Sequence, residues 1–191
     1  MEQRVRIGPV GPGGDAESEW WPPVEPFDDA EVAGGRELTR LEVFSGDVVN
    51  GLRATYGPVV GPVRGDEHPN VLVVNAAADP VVEISGMWGL YFGGEYFTRI
   101  LVHCRSGQVH GPRGSGAYST DERPFRLTAP PGGRIAVLSG TTTSADDGAA
   151  WFLSALGAEV RTDPHPRVAA RSRWRRLGRA LAGALRRRPR P

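Results

Sequence analysis

The sequence predicts an all-β body built from three four-stranded units around one core, followed by a basic tail. Three observations predict it. Short stretches alternate apolar and polar residues as strands with one buried face do. Several of these stretches resemble one another, as expected of units that cannot bury their apolar faces alone. Helical periodicity is absent before residue 165. An ordinary β-sandwich with coincidental likeness between strands is the alternative that the pattern leaves open.

The first alternating stretch is Leu38-Thr39-Arg40-Leu41-Glu42-Val43-Phe44, and a related one recurs as Phe97-Thr98-Arg99-Ile100-Leu101-Val102; both run into Ser-Gly, at Ser45-Gly46 and Ser106-Gly107. Three further segments resemble one another: Val48 to Gly57, Val81 to Gly89, and Ile135 to Gly140. Each is an apolar strand that ends on a small or aromatic residue and Gly. The body spans residues 5–161, and its first strand is expected to pair beside its last, bringing the ends of the domain together.

From Val168 onward the pattern changes. Trp174, Leu177, Leu181 and Leu185 share one helical face and Arg175, Arg176, Arg179 and Arg186 the opposite one. Pro164 and Pro166 mark the junction, so residues 162–191 read as a linker and a basic amphipathic tail, helical or disordered. Gly178 and Gly183 each cost about 1 kcal/mol of helix stability.

Composition bounds the rest. The 191 residues suit one core plus an appendage. The 26 Gly and 17 Pro fit frequent turns, while 39% hydrophobic residues, with five Trp and six Phe, are too many for a disordered chain. The lone Cys104 cannot form an intramolecular disulfide, which suits reducing surroundings. The N-terminus is charged and lacks the apolar run of a signal peptide, and no stretch is long and apolar enough for a transmembrane helix, so a cytoplasmic location is expected. All 23 basic residues are Arg; ten lie in 167–191 without a single acid, leaving the body at −9 and the tail at +10.

Little supports turnover. His103 and Cys104 are strand neighbours that point to opposite faces, His110 follows, and there is no CxxC or HExxH spacing, so a buried structural Cys, surface histidines and no metal site are expected. Gly11-Pro12-Gly13-Gly14 neither follows a strand nor opens a helix and lacks a Lys-Ser or Lys-Thr, which removes the context of a nucleotide loop. Trp20-Trp21 could stack on a sugar ring but more often such a pair closes a core. No enzyme activity and no cofactor are expected.

The order of segments resembles the jacalin-related lectins. Gly8-Pro9-Val10-Gly11-Pro12-Gly13-Gly14 resembles that family's glycine-rich first loop, and Phe27-Asp28-Asp29 the segment after it. Leu41 to Gly51, Ile84-Ser85-Gly86, Thr98-Arg99-Ile100, Gly111-Pro112-Arg113-Gly114 and Leu153-Ser154-Ala155-Leu156-Gly157 follow in the family's order. The resemblance implies a β-prism I of three four-stranded Greek-key sheets with pseudo-threefold symmetry. It also implies carbohydrate binding at one apex, through a Gly-x-x-x-Asp loop that faces a glycine-rich loop containing Gly14. A carboxylate accepts from two neighbouring hydroxyls, in charge-assisted bonds about twice as strong as neutral ones.

The usual site of the family aligns with Ala150-Trp151-Phe152-Leu153-Ser154, where Ala150 stands for the Gly and Ser154 for the Asp. Losing the carboxylate forfeits about 1.5–3 kcal/mol. Asp146 and Asp147 lie just upstream. The second loop, Gly46-Asp47-Val48-Val49-Asn50, keeps more of the pattern, with Asn50 for the closing Asp and Gly61-Pro62-Val63-Arg64-Gly65-Asp66 as its facing loop. The carbohydrate-binding residues expected are therefore Gly46, Asp47, Val48 and Asn50, then Gly14, Trp151, Phe152 and Ser154.

Two functions follow as expectations: a weak lectin-like module for mannose- or glucose-type glycans, or a β-prism that has lost sugar recognition and serves as an interaction scaffold. The tail suits an anionic membrane surface or a groove in a partner protein, since its apolar stripe argues against a purely electrostatic nucleic-acid arm. A homo-oligomer would make a weak lectin multivalent.

Overall fold

The computed structural model describes residues 3–12, 24–145 and 150–162. It contains twelve strands: β1 Gln3–Val10, β2 Val24–Asp28, β3 Leu38–Ser45, β4 Val49–Tyr56, β5 Val59–Gly65, β6 Val71–Val74, β7 Val81–Tyr91, β8 Gly94–Cys104, β9 Val109–Arg113, β10 Ser119–Thr128, β11 Gly133–Ala145 and β12 Ala150–Thr162. They form three antiparallel four-stranded sheets, ordered β1-β12-β11-β2, β5-β4-β3-β6 and β10-β7-β8-β9.

Each sheet has a two-stranded hairpin at its centre: β3–β4, β7–β8 or β11–β12. The next two strands flank it, one on each side, which is a Greek key. In the first sheet the flanking strands are β1 and β2, so the same topology is completed by the beginning of the chain. Gln3 sits opposite Thr162 and Val5 opposite Val160, and the first strand does pair beside the last.

The three sheets bury one core. Leu41, Val43, Leu52, Ile84, Ile100, Leu127, Leu138, Leu153 and Leu156 are among the side chains almost wholly removed from solvent, with Phe97 and Tyr56. Cys104 is buried among them, while its neighbour His103 points to the half-exposed face. The β-bulge at Thr39 shifts the register, so β3 does not alternate along its whole length. Glu42 lies on the face opposite the core residues Leu41 and Val43, where its carboxylate is buried by pairing with Arg53 at 2.7 Å and Arg40 at 2.9 Å.

The internal likeness maps differently from the sequence expectation. Gly86 of β7 and Gly140 of β11 are true equivalents: they lie opposite Phe125 and Phe27, in strands at the same place of their sheets. A Cβ at either would meet a carbonyl oxygen, of Arg99 at 1.9 Å or Ala155 at 2.1 Å, so the close strand approach requires glycine. Their counterpart in the second sheet is Val43, opposite Leu72, on β3 rather than on the β4 segment that resembles them. The likeness between β3 and β8 likewise joins strands in different places of their hairpins.

A four-residue helix, α1 Ala30–Ala33, lies in the part of the chain where no helical periodicity was read. It ends at Gly34, whose φ of 51° is left-handed. Asp29, just before it, is fully buried, and it accepts from the Tyr56 hydroxyl at 2.9 Å and from Arg64 at 2.7 and 3.1 Å. Tyr56 in turn accepts the Leu138 N–H at 3.1 Å, which ties the first and second sheets together. Residues 163–191, with the tail, lie outside the described residues.

Candidate functional site

The β3–β4 turn, the β7–β8 turn and the start of β12 gather at one end of the prism, because neighbouring sheets cap one another there. The Asp47 carbonyl of the β3–β4 turn accepts N–H bonds from Ser115 at 3.1 Å and Gly116 at 2.9 Å, both in the β9–β10 connection. The Asp66 carboxylate, just after β5, accepts the N–H of Trp151 at 2.8 Å, at the start of β12. Phe152 packs against Tyr96 and Tyr91 of the β7–β8 hairpin, with ring centroids 4.9 and 6.5 Å apart. The site is therefore assembled by contacts between sheets.

The β3–β4 turn is the better exposed of the two expected loops. Gly46 is half-buried and donates to Asn50 Oδ1 at 2.7 Å and to the Val48 carbonyl at 3.0 Å. Asn50 thus closes the turn with its side-chain oxygen, and among the described residues nothing takes its amide nitrogen. The Asp47 side chain is exposed, with one carboxylate oxygen 3.2 Å from the Ser115 hydroxyl. Val48 is only 2% exposed, so its side chain anchors the turn and its backbone alone could meet a ligand. Residues 61–65, expected as a facing loop, are instead the strand β5; the connection that faces Gly46 is 66–70, where His68 Nε2 lies 3.3 Å from the place of a Gly46 Cβ.

At the other expected loop the geometry is closed. Residues 150–154 belong to strand β12, paired from Ala150–Ala145 through Leu153–Thr142. Ser154, 1% exposed, lies at a bulge, accepts the Thr143 hydroxyl at 2.7 Å, shares a 2.9 Å bond with the Thr141 hydroxyl and donates to the Thr141 carbonyl at 3.2 Å. Its hydroxyl is thus fully engaged within the protein. Gly11 comes so near that a Cβ there would lie 2.5 Å from the Ser154 carbonyl oxygen. Trp151 and Phe152 remain half-buried, and Trp151 lines a cleft of about 200 Å³ with Glu25, Pro26, Arg64 and Thr142. Gly14, Trp20, Trp21, Asp146 and Asp147 lie outside the described residues.

Sequence reasoning overlooked a group of aromatic residues at the same end. Phe92 and Tyr118 are 81% and 77% exposed, and both have left-handed backbones, φ 45° and 60°. Their rings stand 6.3 Å apart, and Tyr91 meets Phe92 edge-on at 4.7 Å. Partial burial, then the nearby Asp47 carboxylate and Tyr118, hold the Tyr91 phenol above its ordinary range. The signal was present as Tyr91-Phe92-Gly93-Gly94, aromatics at a glycine turn. Among the described residues there is no group of three or more His, Cys, Asp or Glu that could hold a metal ion.

No protein-family model matches the chain, and no curated protein does. Solved structures match over most of the body. The artocarpin–mannotriose complex superposes with a TM-score of 0.59 at 18% identity, covering 83% of this chain and 97% of that one. Wild-type Malaysian banana lectin gives 0.60 at 16% identity over 84% of this chain and all of that one. The Vibrio cholerae biofilm matrix protein Bap1 gives 0.59 at 13% identity, with 83% of this chain matching 23% of that chain. At these identities the likeness establishes the fold: the described body is the β-prism seen in the jacalin-related lectins.

Proposed function

We propose, on the premise of the β-prism shared with jacalin-related lectins, that this protein is a carbohydrate-binding module whose site is the β3–β4 turn. The observation that carries the proposal is the turn itself: Asn50 holds the Gly46 N–H while the Asp47 carboxylate stands exposed beside it. An exposed carboxylate, a side-chain amide and a glycine backbone can together accept from and donate to neighbouring sugar hydroxyls without a blocking side chain. Mannose- or glucose-type glycans are the ligands proposed, with weak affinity for a single sugar; mannose or its oligomers are named for several of the matched lectins. Ser154 is left to hold β11 and β12 together.

The basic tail is proposed to attach the module to an anionic membrane or a partner protein. In support, β12 runs about 40 Å from its hairpin to Thr162. A tail leaving from there and bound to a surface would hold the hairpin end away from that surface.

A glycan array probed with the full chain tests the binding reading. Signal on mannose- or glucose-terminated glycans that is lost in Asp47→Ala supports it; no signal on any glycan favours a β-prism that serves as an interaction scaffold. Co-sedimentation with phosphatidylserine liposomes that disappears on deleting 167–191 supports membrane attachment.

A further inference from the structure

At the hairpin end the β7–β8 turn and the β9–β10 connection each present a ring to solvent. Left-handed backbone is rare for bulky residues, and Phe92 and Tyr118 gain little burial in return for adopting it. Tyr91 braces Phe92 from the edge and itself rests against Phe152, so the exposed rings form a shelf on a packed aromatic base.

Uncompensated negative charge surrounds the shelf. Asp47 and Asp121 are exposed and Glu95 is half-buried, and none of the three has an ion-pair partner among the described residues. The neighbouring cations are engaged: Arg99 pairs with Glu122 at 3.4 Å, and Arg123 lies over the Trp88 ring, 4.9 Å from its centroid. Open ring faces beside unpaired carboxylates suit a guanidinium, whose plane stacks on an aromatic ring while its edge donates to carboxylate oxygens. An apolar partner would leave the carboxylates unused, and an anionic one would be repelled.

The chain itself carries the matching cation. Residues 167–191 hold ten arginines and no acid, against a body of charge −9. This segment follows Thr162, about 40 Å from the hairpin end along β12. Residues 163–191 span at most about 100 Å when extended, so roughly a dozen of them return the chain to that end. Arg176, Arg179, Arg186, Arg187, Arg188 and Arg190 lie beyond those. A tether also gives them an effective concentration on the order of millimolar at the shelf, well above that of a second copy in dilute solution.

We propose that the arginine-rich segment 167–191 docks on the hairpin end of its own body, its guanidiniums stacked on Phe92 and Tyr118 and paired with Asp47, Glu95 and Asp121. Each such contact at a surface is weak, so the docking rests on several made together. It does not depend on the carbohydrate reading. Docking and membrane attachment are alternatives, since the same arginines serve both.

A nitroxide on Ala184→Cys of the full chain, read as paramagnetic broadening of body amides, tests the docking; Cys104 is buried, out of the label's reach. The expected result is a marked loss of intensity for residues 91–95 and 116–121, with Gln3, Gly133 and Thr162 at the opposite end keeping theirs. Broadening spread evenly over the body, or none, overturns it. Phe92→Asn/Tyr118→Asn removes both rings and Asp47→Asn/Asp121→Asn removes two charges. Asn tolerates the left-handed backbone of Phe92, Tyr118 and Asp121, so the melting temperature should hold while intensity returns. Undiminished broadening in either variant defeats the recognition argued here. Without any variant, raising the salt to about 1 M, where the screening length is about 3 Å, should restore most of the intensity, and a salt-independent signal counts against the ion pairs. Nitroxide-bearing chain mixed with isotope-labelled chain that lacks it should broaden nothing; broadening there would seat a second copy's tail on the shelf and overturn the intramolecular contact.

Discussion

Asn50 Oδ1 accepts the Gly46 N–H at 2.7 Å, so the residue that closes the β3–β4 turn also fixes the glycine that opens it. The sugar binding proposed for this turn and the shape of the turn are thus coupled. Asn50→Ala should remove both, with a stability loss of about 0.5–1.5 kcal/mol for the missing bond. Asn50→Asp keeps the acceptor and adds charge, and should bind mannose or glucose more tightly. Calorimetric titration beside thermal melts separates the two effects.

Ser154 should behave as a structural residue. Ser154→Ala leaves the Thr143 hydroxyl without its acceptor in a buried place and should destabilise by about 1–3 kcal/mol. Ser154→Asp places a carboxylate next to the Thr141 carbonyl, to which Ser154 now donates. It should lower the melting temperature and, on its own, give no new sugar binding. Chemical denaturation and glycan titration of the two variants check this.

The Asp29–Tyr56–Arg64 group should be the most sensitive polar cluster of the prism. Tyr56→Phe removes a donor to Asp29 and the acceptor of the Leu138 N–H, at about 1–3 kcal/mol. Arg64→Met strands a buried carboxylate, at about 3–5 kcal/mol. Burial first, and then the Asp29 charge, push the Tyr56 phenol far above its ordinary 10.0. The neutral phenol is the form favoured by folding, so its contribution is complete below pH 10 and is lost as pH rises beyond it. Urea melts between pH 8 and about 11 should show an alkaline decline that Tyr56→Phe flattens.

Acid should act through Glu42 and Glu37. A hydrogen bond from Arg53 is the main cause that holds the Glu42 carboxyl below its ordinary 4.5, and one from Arg134 does the same for Glu37. Both are depressed on folding, so their contribution is present above pH 4.5 and is lost as pH falls below it. Glu42→Gln should lower stability at neutral pH and flatten the acid limb of a melting-temperature profile.

Much of the fold was legible because a strand with one buried face must alternate, and because repeats reveal units that share a core. Ile100 and Val102 in β8 and Leu52 and Ala54 in β4 are buried as such patterns require. What alternation could not reveal was register. Arg53, across the hairpin, covers Glu42 on the face opposite the core, and the strand pairing beyond Ala150 buries Ser154, both decided by partners distant in sequence. The β3–β4 turn was legible since Gly46 and Asn50 lie four residues apart and close on each other. The aromatic shelf was not, because Phe92 and Tyr118 come from different connections and meet only across the third sheet.

The most direct test of the central claim is an amide chemical-shift titration of the full chain with methyl α-mannoside and methyl β-glucoside. Saturable shifts centred on Gly46, Asp47 and Asn50, absent in Asp47→Ala, are the predicted result. Shifts confined to Trp151, Phe152 and Ser154, or no saturable shift with either sugar, would contradict it.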